Sequence, residues 1–213
     1  MEATFCFVDL AGFTALTEAH GDHAAADLIA RFGSAVDAAL EGDATIVDRI
    51  GDAVFLVGET PEGTLRCVKR LWIRSLDEAD FPTLHAGLHH AEAVQRDGRW
   101  VGTAVNLAAR VAAHARGGQV LVTAPVAAHG AAAGIESRSI GQTSLRNLVE
   151  PVELFVLDLP TGHADDAIDP VCRMRVCPDS APGHLRFADR DFWFCSLACV
   201  ARFASSPGAY APN

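Results

Sequence analysis

Residues 4–18, TFCFVDLAGFTALTE, contain the change of pattern on which the fold depends. The run 4–10 is short, aromatic and β-branched, which is typical of a buried strand, and Gly12 follows it. Over 13–41 the apolar residues recur at spacings of three and four, as in an amphipathic helix, and Gly21 offers a break between two helices. The segment therefore predicts a strand that turns directly into a helical region.

Strand and helix patterns alternate through the rest of the first 159 residues. The Gly51-Asp52 pair separates two strand-like runs, ATIVDRI and GDAVFLV, and predicts a tight hairpin between them. The other predicted elements are helices at about 61–76 and 103–115, a strand pair at 84–94, a strand at 119–123, a short alanine-rich helix, and strands near 137–148 and 152–157. The order β-α-β-β-α-β predicts an α+β sandwich of the ferredoxin-like type.

Composition limits the classes of function. The 213 residues include 17 Lys or Arg and 27 Asp or Glu, for a formal net charge of −10. A general nucleic-acid binder needs a surplus of basic residues to meet phosphates, so nucleic acid is not an expected partner. No run reaches the roughly 18 apolar residues of a membrane-spanning helix, and the start, MEATFCFVDL, lacks the basic region of a signal peptide. We therefore expect a cytoplasmic protein with reduced thiols.

A change of composition divides the chain. The stretch 160–168 is polar and aperiodic, which predicts a linker. Residues 1–159 before it form the predicted α+β domain. Residues 169–213 after it hold four of the six cysteines and predict a small second module.

Two aspartates are expected at one edge of the sheet. Asp9 lies at the end of the first strand and Asp52 at the hairpin, so their carboxylates emerge together if the strands are neighbours. Paired carboxylates beside turn backbone suit Mg²⁺, which takes few protein oxygens and completes its shell with water and phosphate. The alternative is a pair of turn or helix-capping aspartates, since glycine is near both.

A second pair of polar residues lies on the helix predicted at 103–115. Asn106 and Arg110 are four residues apart, so they share a face of that helix. On a helix otherwise rich in alanine, an amide and a guanidinium suggest ligand contacts. The alternative is an ordinary solvated helix edge.

Five stretches resemble, in this order, the successive motifs of class III adenylate and guanylate cyclase catalytic domains: FVDLAGFTALTE (7–18), RIGDAVFLV (49–57), HAGLHHAE (85–92), VGTAVNLAARV (101–111) and SLRNLVEPVELF (144–155). The similarity covers about 4–159 without a missing block. It implies the fold of that family and the conversion of a purine nucleoside triphosphate, ATP or GTP, to a cyclic nucleotide and pyrophosphate. It also implies a head-to-tail homodimer with two sites at the interface.

The resemblance implies roles for individual residues. Asp9 and Asp52 match the aspartates that bind two Mg²⁺ or Mn²⁺ ions, which clamp the attacking and leaving oxygens. Asn106 matches the residue that orients the ribose, and Arg110 the one that stabilises charge on the α-phosphate. Two further substrate-binding residues lie in the first motif: Phe13 and Thr14.

Three positions depart from the cyclase pattern. Adenylate-specific members carry a base-selecting lysine four residues before the second metal aspartate, and here that residue is Asp48; Lys69 is the one lysine of the chain. The partner position falls on Arg99, or on Asp97 if the turn aligns differently. Arg146 replaces a phosphate-binding lysine and keeps its charge. Three interpretations are open: a loosened base pocket with low or promiscuous turnover, a dimerising or nucleotide-sensing module without useful catalysis, and a guanine preference.

The tail reads DPVCRMRV…FWFCSLACVARFASSPGAY, and its Cys172, Cys195 and Cys199 predict a soft-metal site for Zn²⁺ or Cu⁺. The alternative is that these thiols are small hydrophobic residues of a mini-core. A module of about 45 residues rarely folds on apolar burial alone, which favours a metal. The fourth ligand is open between Cys177, His184 and water.

The tail also resembles the YHS domain, a small cysteine-containing module related to treble-clef-like metal-binding domains. The shared residues are Asp169-Pro170-Val171-Cys172, Met174, Phe194-Cys195-Ser196, Cys199, Phe203, Pro207 and Tyr210. Arg173 stands where glycine is common. His20 and His23 flank Gly21, where we expect a solvated turn and not a metal site. Two functions are open: a cyclase tuned by its tail, and a non-catalytic signalling dimer that carries metal-sensing tails.

Overall fold

A computed structural model describes residues 1–162 and 166–211. The strands of the first part are β1 (Glu2–Leu10), β2 (Thr45–Ile50), β3 (Ala53–Gly58), β4 (Leu84–Glu92), β5 (Val94–Arg96), β6 (Arg99–Val101), β7 (Val120–Thr123), β8 (Ser137–Thr143) and β9 (Val152–Leu157). Seven of them form one sheet in the order β2-β3-β1-β4-β7-β9-β8, in which β4 and β7 run parallel. The predicted α+β class is confirmed.

Helices cover both faces of this sheet. They are α1 (Phe13–His20), α2 (Asp22–Ala39), α3 (Pro61–Asp77), α4 (Thr103–His114) and α5 (Ala124–Ala127). The predicted break at Gly21 is confirmed, since this residue has φ 85° and separates α1 from α2. Thr60 begins α3, because its hydroxyl accepts a hydrogen bond from the Gly63 N–H and Pro61 takes the first helical position.

The alternation of side chains along β1 divides the core in two. Cys6 and Val8 are fully buried toward α2 and α3. Phe5 and Phe7 point the other way, toward α4. A glycine allows α4 to lie directly on the sheet, because a β-carbon on Gly87 would come within 2.0 Å of the backbone nitrogen of Ala112.

The prediction of a strand pair at 84–94 was wrong. Residues 84–92 form the single strand β4, whose partners are β1 on one side and β7 on the other. The chain reverses only at Asp97 and Gly98, whose φ angles of 51° and 75° make the tight turn between β5 and β6. β4 continues through His89 and His90 because its edges are paired with β1 and β7.

The tail forms a small unit packed on the first part. It consists of β10 (Ala167–Ile168), β11 (Arg175–Val176), β12 (Gly183–Phe187), β13 (Arg190–Phe194), α6 (Leu197–Ser205) and α7 (Pro207–Tyr210). Of the predicted linker, 163–165 lie outside the described residues, and Ala167–Ile168 pair with β11. One cluster of buried side chains continues from Leu16 and Phe81 into Val171, Phe194 and Phe203.

None of the helices in the described ranges has the length and apolar character that crossing a bilayer requires.

Candidate active site and cysteine cluster

Asp9 and Asp52 lie at one end of the sheet, on neighbouring strands. Asp9 pairs with Ala53, the first residue of β3, so Asp52 in the β2–β3 hairpin is adjacent to it. The Leu10 N–H donates to the Asp52 carbonyl at 3.3 Å, which ties the end of β1 to the hairpin. The two carboxylates therefore share one edge.

The carboxyl group of Asp9 has surroundings that suit a cation. Its Oδ1 is buried and has no hydrogen-bond partner among the described residues. Burial, and then the charge of Asp52, raise the pKa of Asp9 to about 7, although a hydrogen bond from the Leu10 backbone acts in the opposite direction. A divalent cation would give this oxygen a partner and offset the repulsion. Carboxylate oxygens are the ligands that Mg²⁺ and Mn²⁺ take, so the residues present fit such an ion.

His85 belongs to this edge and was not singled out from the sequence. It pairs with Asp9 across β1 and β4, and its Nε2 lies 3.4 Å from Asp9 Oδ2. Burial lowers the pKa of His85, so the ring is neutral near pH 7 and can donate one hydrogen bond to the carboxylate. A signal was available, because alternation in LHAG puts His85 on the opposite face from Leu84 and Ala86.

The predicted substrate residues Phe13 and Thr14 are the first two residues of α1. Phe13 follows Asp9 by four residues. Gly12 precedes them with φ 73°, and no side chain caps the helix. Phe13 is half-buried and Thr14 is exposed. The unpaired N–H groups of a first helical turn favour an anion, so this turn suits a phosphate near the aspartate edge.

Among the described residues, no hydrogen bond or ion pair joins Asn106, Arg110 or Arg146 to Asp9 or Asp52 of the same chain. Asn106 is exposed and Arg110 half-buried on α4, and Arg146 is exposed in the loop between β8 and β9. Within 1–162 and 166–211, none of these three side chains makes a hydrogen bond or ion pair. The side chains of Asn106 and Arg110 on α4 are thus available to contact a ligand or another chain.

Asp48 lies in a row of residues across the α4 face of the sheet. It pairs with Phe55, which in turn pairs with Phe7. The two phenylalanine rings stack with centroids 4.4 Å apart and planes 1° from parallel. Asp48 itself is exposed, and Arg99 is exposed on the separate β5–β6 hairpin.

Four potential ligand atoms meet where the tail packs on the first part. They are the Sγ atoms of Cys172, Cys195 and Cys199 and Nε2 of His20, all within 4.8 Å of one another. The Sγ atoms of Cys172 and Cys195 are 3.3 Å apart, and those of Cys195 and Cys199 are 3.8 Å apart. All three cysteines are free thiols.

The fourth member of this cluster is His20, and the expectation of a solvated turn there was wrong. His20 is half-buried, with Nε2 3.4 Å from the Sγ of Cys195 and 3.7 Å from that of Cys199. The proposed alternatives lie elsewhere: Cys177 is exposed outside the cluster, and His184 is engaged at 2.8 Å by a carboxylate of its own hairpin. Sequence spacing could not show this, because His20 and the cysteines belong to different parts of the chain.

Asp169 holds the cysteine-bearing loops together. It is fully buried, and its Oδ1 accepts hydrogen bonds from the N–H groups of Val171 at 2.8 Å and Cys172 at 3.3 Å. Its Oδ2 accepts from the Cys195 N–H at 2.9 Å. Arg173, which stands where glycine is common in the YHS pattern, has φ 62°, a conformation that favours glycine.

Relatives of this chain are found among curated proteins and solved structures. No protein-family model matches it. The uncharacterized protein Rv2212 of Mycobacterium tuberculosis is 36% identical over an alignment of 175 residues, and the match covers 77% of this chain and 43% of that protein. The pH-sensitive adenylate cyclase MT1302 of the same species is 37% identical over 122 residues, which are 57% of this chain and 30% of that protein. The chain thus spans less than half the length of these relatives.

Solved structures show the same architecture. The monomeric adenylate cyclase of Trypanosoma brucei superposes with a TM-score of 0.66 at 21% identity, and the match covers 76% of this chain and 92% of that one. At this identity the likeness concerns the fold. The chain therefore has the fold of class III adenylate and guanylate cyclase catalytic domains.

Proposed function

We propose that this chain is a nucleotidyl cyclase that converts ATP or GTP to a 3′,5′-cyclic nucleotide and pyrophosphate in intracellular signalling. One observation carries the proposal: Asp9 and Asp52 lie side by side on a cyclase fold, and a buried oxygen of Asp9 has no partner among the described residues. The identity to an adenylate cyclase over 122 residues supports it.

Asp9 and Asp52 would hold two Mg²⁺ or Mn²⁺ ions. When bound, these ions supply Lewis-acid stabilisation of charge on the attacking and leaving oxygens. The backbone N–H groups of Phe13 and Thr14 would bind the phosphates, because the first turn of α1 has no side-chain cap. His85 would hold the Asp9 carboxylate in its orientation.

In the reaction, the ribose 3′-oxygen bonds to the α-phosphorus, and the bond from that phosphorus to the bridging oxygen of pyrophosphate breaks. The hydroxyl proton leaves to solvent. Asn106 would orient the ribose, and Arg110 would pair its planar fork with α-phosphate oxygens. Arg146 would bind the remaining phosphates through its charge.

We propose a homodimer, and the positions of these side chains support it. Asn106 and Arg110 are on α4, without a partner in the described ranges, while Asp9 and Asp52 occupy the end of the sheet. On this proposal, one chain offers two halves of a site, neither of them complete by itself. A head-to-tail pair would join the aspartates of one protomer to the α4 of its partner.

The base pocket departs from the adenylate pattern at Asp48. On the guanine interpretation, Asp48 accepts hydrogen bonds from N1–H and the amino group, and Arg99 donates to O6. The exposure of Asp48 beside the stacked Phe7 and Phe55 leaves its carboxylate accessible to a base. The competing possibilities are a loosened, promiscuous pocket and a catalytically weak or inactive module that dimerises and senses nucleotide.

The deciding experiment is turnover by the purified chain. Wild type and Asp52→Ala are incubated with ATP or GTP and Mn²⁺, and the cyclic products are separated by chromatography. We expect product from wild type and a loss of at least about 100-fold in the variant. Equal product from both would show that another site, or a contaminant, is responsible. No product from either nucleotide would establish the non-catalytic alternative, and cyclic AMP formed much faster than cyclic GMP would exclude the guanine preference.

The tail completes the proposal. We assign 169–213 to a YHS-type module behind the linker at 160–168, and we place the protein in the cytoplasm. The free thiols of the described cysteines are compatible with a reducing compartment.

A further inference from the structure

We propose that His20, Cys172, Cys195 and Cys199 form a Zn²⁺ site that joins the tail to helix α1 of the cyclase-like part. This inference is independent of whether the chain turns over a nucleotide. It adds His20, which lies outside the tail, to the ligands. The metal would then link the two parts of the chain.

The distances among His20, Cys195 and Cys199 match those of a tetrahedral zinc site, and the Cys172–Cys195 sulfur pair is closer. With Zn–S near 2.3 Å and Zn–N near 2.0–2.1 Å, sulfur pairs lie about 3.8 Å apart and sulfur–nitrogen pairs about 3.6 Å apart. The Cys195–Cys199 sulfurs are 3.8 Å apart, and His20 Nε2 is 3.4 and 3.7 Å from them. The Cys172–Cys195 distance of 3.3 Å is well above the roughly 2.05 Å of a disulfide.

The donor set selects the metal. Three thiolates and one imidazole are soft and borderline ligands, and this combination is found in structural zinc sites. The hard cation suited to Asp9 and Asp52 prefers oxygen instead. The two sites of the chain therefore take different ions.

The surroundings hold the ligands in place before a metal binds. Asp169 accepts hydrogen bonds from the backbone of both Cys172 and Cys195. Ser196 caps α6, and its hydroxyl accepts from the Cys199 N–H at 3.2 Å. Such support lowers the cost of bringing the ligands together.

The site lies on a surface where the two parts already touch. The guanidinium of Arg202 on α6 donates to the Glu18 carboxylate at 2.8 Å and to its carbonyl at 2.9 Å. The Thr83 N–H donates to the Arg173 carbonyl at 3.1 Å, and the Thr83 carbonyl accepts from the Ala11 N–H at 2.8 Å. Zinc would therefore fasten the end of α1, whose other end follows the strand that carries Asp9.

The test is metal binding by the full chain without nucleotide or Mg²⁺. Protein purified anaerobically and stripped with chelator is titrated with Co²⁺ and then Zn²⁺; the thiolate-to-cobalt charge-transfer and d–d bands report tetrahedral sulfur ligation. His20→Ala is compared with His23→Ala, an exposed histidine three residues away. Cys172→Ser is compared with Cys177→Ser, an exposed cysteine outside the cluster. Hydrogen exchange of α1 is measured with and without Zn²⁺, and circular dichroism checks that each variant is folded.

We expect one Zn²⁺ per chain, slower exchange in α1 on binding, and affinities in both control variants equal to wild type. His20→Ala and Cys172→Ser should bind on the order of 100-fold more weakly, since even residues that only support a ligand cost 10–100-fold. Wild-type affinity in His20→Ala, or zinc that leaves exchange in α1 unchanged, would overturn the joining role. Absence of binding by reduced wild type, or isolation of a Cys172–Cys195 disulfide in its place, would overturn the zinc site.

Discussion

The side chain of Arg173 lies against Gly12, at the turn between β1 and α1. A β-carbon built on Gly12 would be 2.7 Å from the Cγ of Arg173. Both residues have positive φ angles, 73° for Gly12 and 62° for Arg173. The tail therefore packs on the backbone that leads from Asp9 into α1, and the turn has no room for a larger residue.

Gly12→Ala tests this contact. The alanine would combine a left-handed backbone with a clash, so we expect the free energy of unfolding to fall by about 2–4 kcal/mol in urea denaturation. Adding Arg173→Gly to the Gly12→Ala variant should recover part of the lost free energy of unfolding, since it removes the clashing carbons of the arginine side chain. Gly208→Ala is the control: no atom lies within 4 Å of a β-carbon there, and the change should stay within about 0.5 kcal/mol. Additive effects of Gly12→Ala and Arg173→Gly would contradict the contact.

Mixing two variants, each expected to be inactive, tests the proposed sharing of the active site between protomers. Asp52→Ala and Arg110→Ala each remove a different half of both sites in a homodimer. Random exchange of protomers should restore about a quarter of wild-type activity, because half of the dimers then contain one intact site of two. A mixture that stays inactive while exchange is verified would mean that the aspartates and α4 of one chain act together.

Asp48→Lys tests base selection. Replacing an acceptor by a donor at this position should raise the ratio of kcat/KM for ATP over GTP by at least about tenfold, since a site built to hydrogen-bond one base discriminates against the other. Steady-state kinetics with both nucleotides measure the ratio. Asp37→Lys, at an exposed position on α2, controls for the change in net charge. An unchanged ratio would place base recognition elsewhere.

Metal binding at the aspartate edge can be read from thermal stability alone. Mn²⁺ at about 100 times its dissociation constant should stabilise wild type by about 2.7 kcal/mol, because it binds the folded chain only. Asp9→Asn should lose this stabilisation and should be no less stable without metal, since it removes the repulsion between Asp9 and Asp52. Asp37→Asn, whose carboxylate is 62% exposed, should keep the wild-type response. A full Mn²⁺ response in Asp9→Asn would exclude Asp9 as a ligand.

Asp43 provides a pH-dependent contribution to stability. Its carboxylate oxygens accept from Arg66 at 2.6 Å and Arg70 at 2.8 Å, and these contacts, the Arg66 hydrogen bond first, lower the pKa of Asp43 below its usual 3.8. A lowered folded-state pKa gives stability that is present above pH 3.8 and lost as pH falls through the folded value. Asp43→Asn should therefore lower Tm at pH 7, and the difference from wild type should shrink below about pH 4. A constant difference in Tm at all pH values would assign the effect to packing.

Much of the fold followed from patterns within short stretches. The change at Gly12, the Gly51-Asp52 hairpin and the start of α3 at 61 are local features, and each appears in the structure where the pattern placed it. The single strand at 84–92 was missed because its length depends on pairing with β1 and β7, which are far away in the sequence.

The sequence by itself determined which residues could do chemistry: strand-end and hairpin carboxylates at Asp9 and Asp52, and the four-residue spacing of Cys195 and Cys199. The tertiary structure decided which other side chains lie beside them. His85 reaches Asp9 through strand pairing, and His20 reaches the cysteines because the tail packs on α1. Periodicity and spacing describe a few residues along one element, whereas a ligand set is completed by the packing of elements distant in the chain, which no local pattern records.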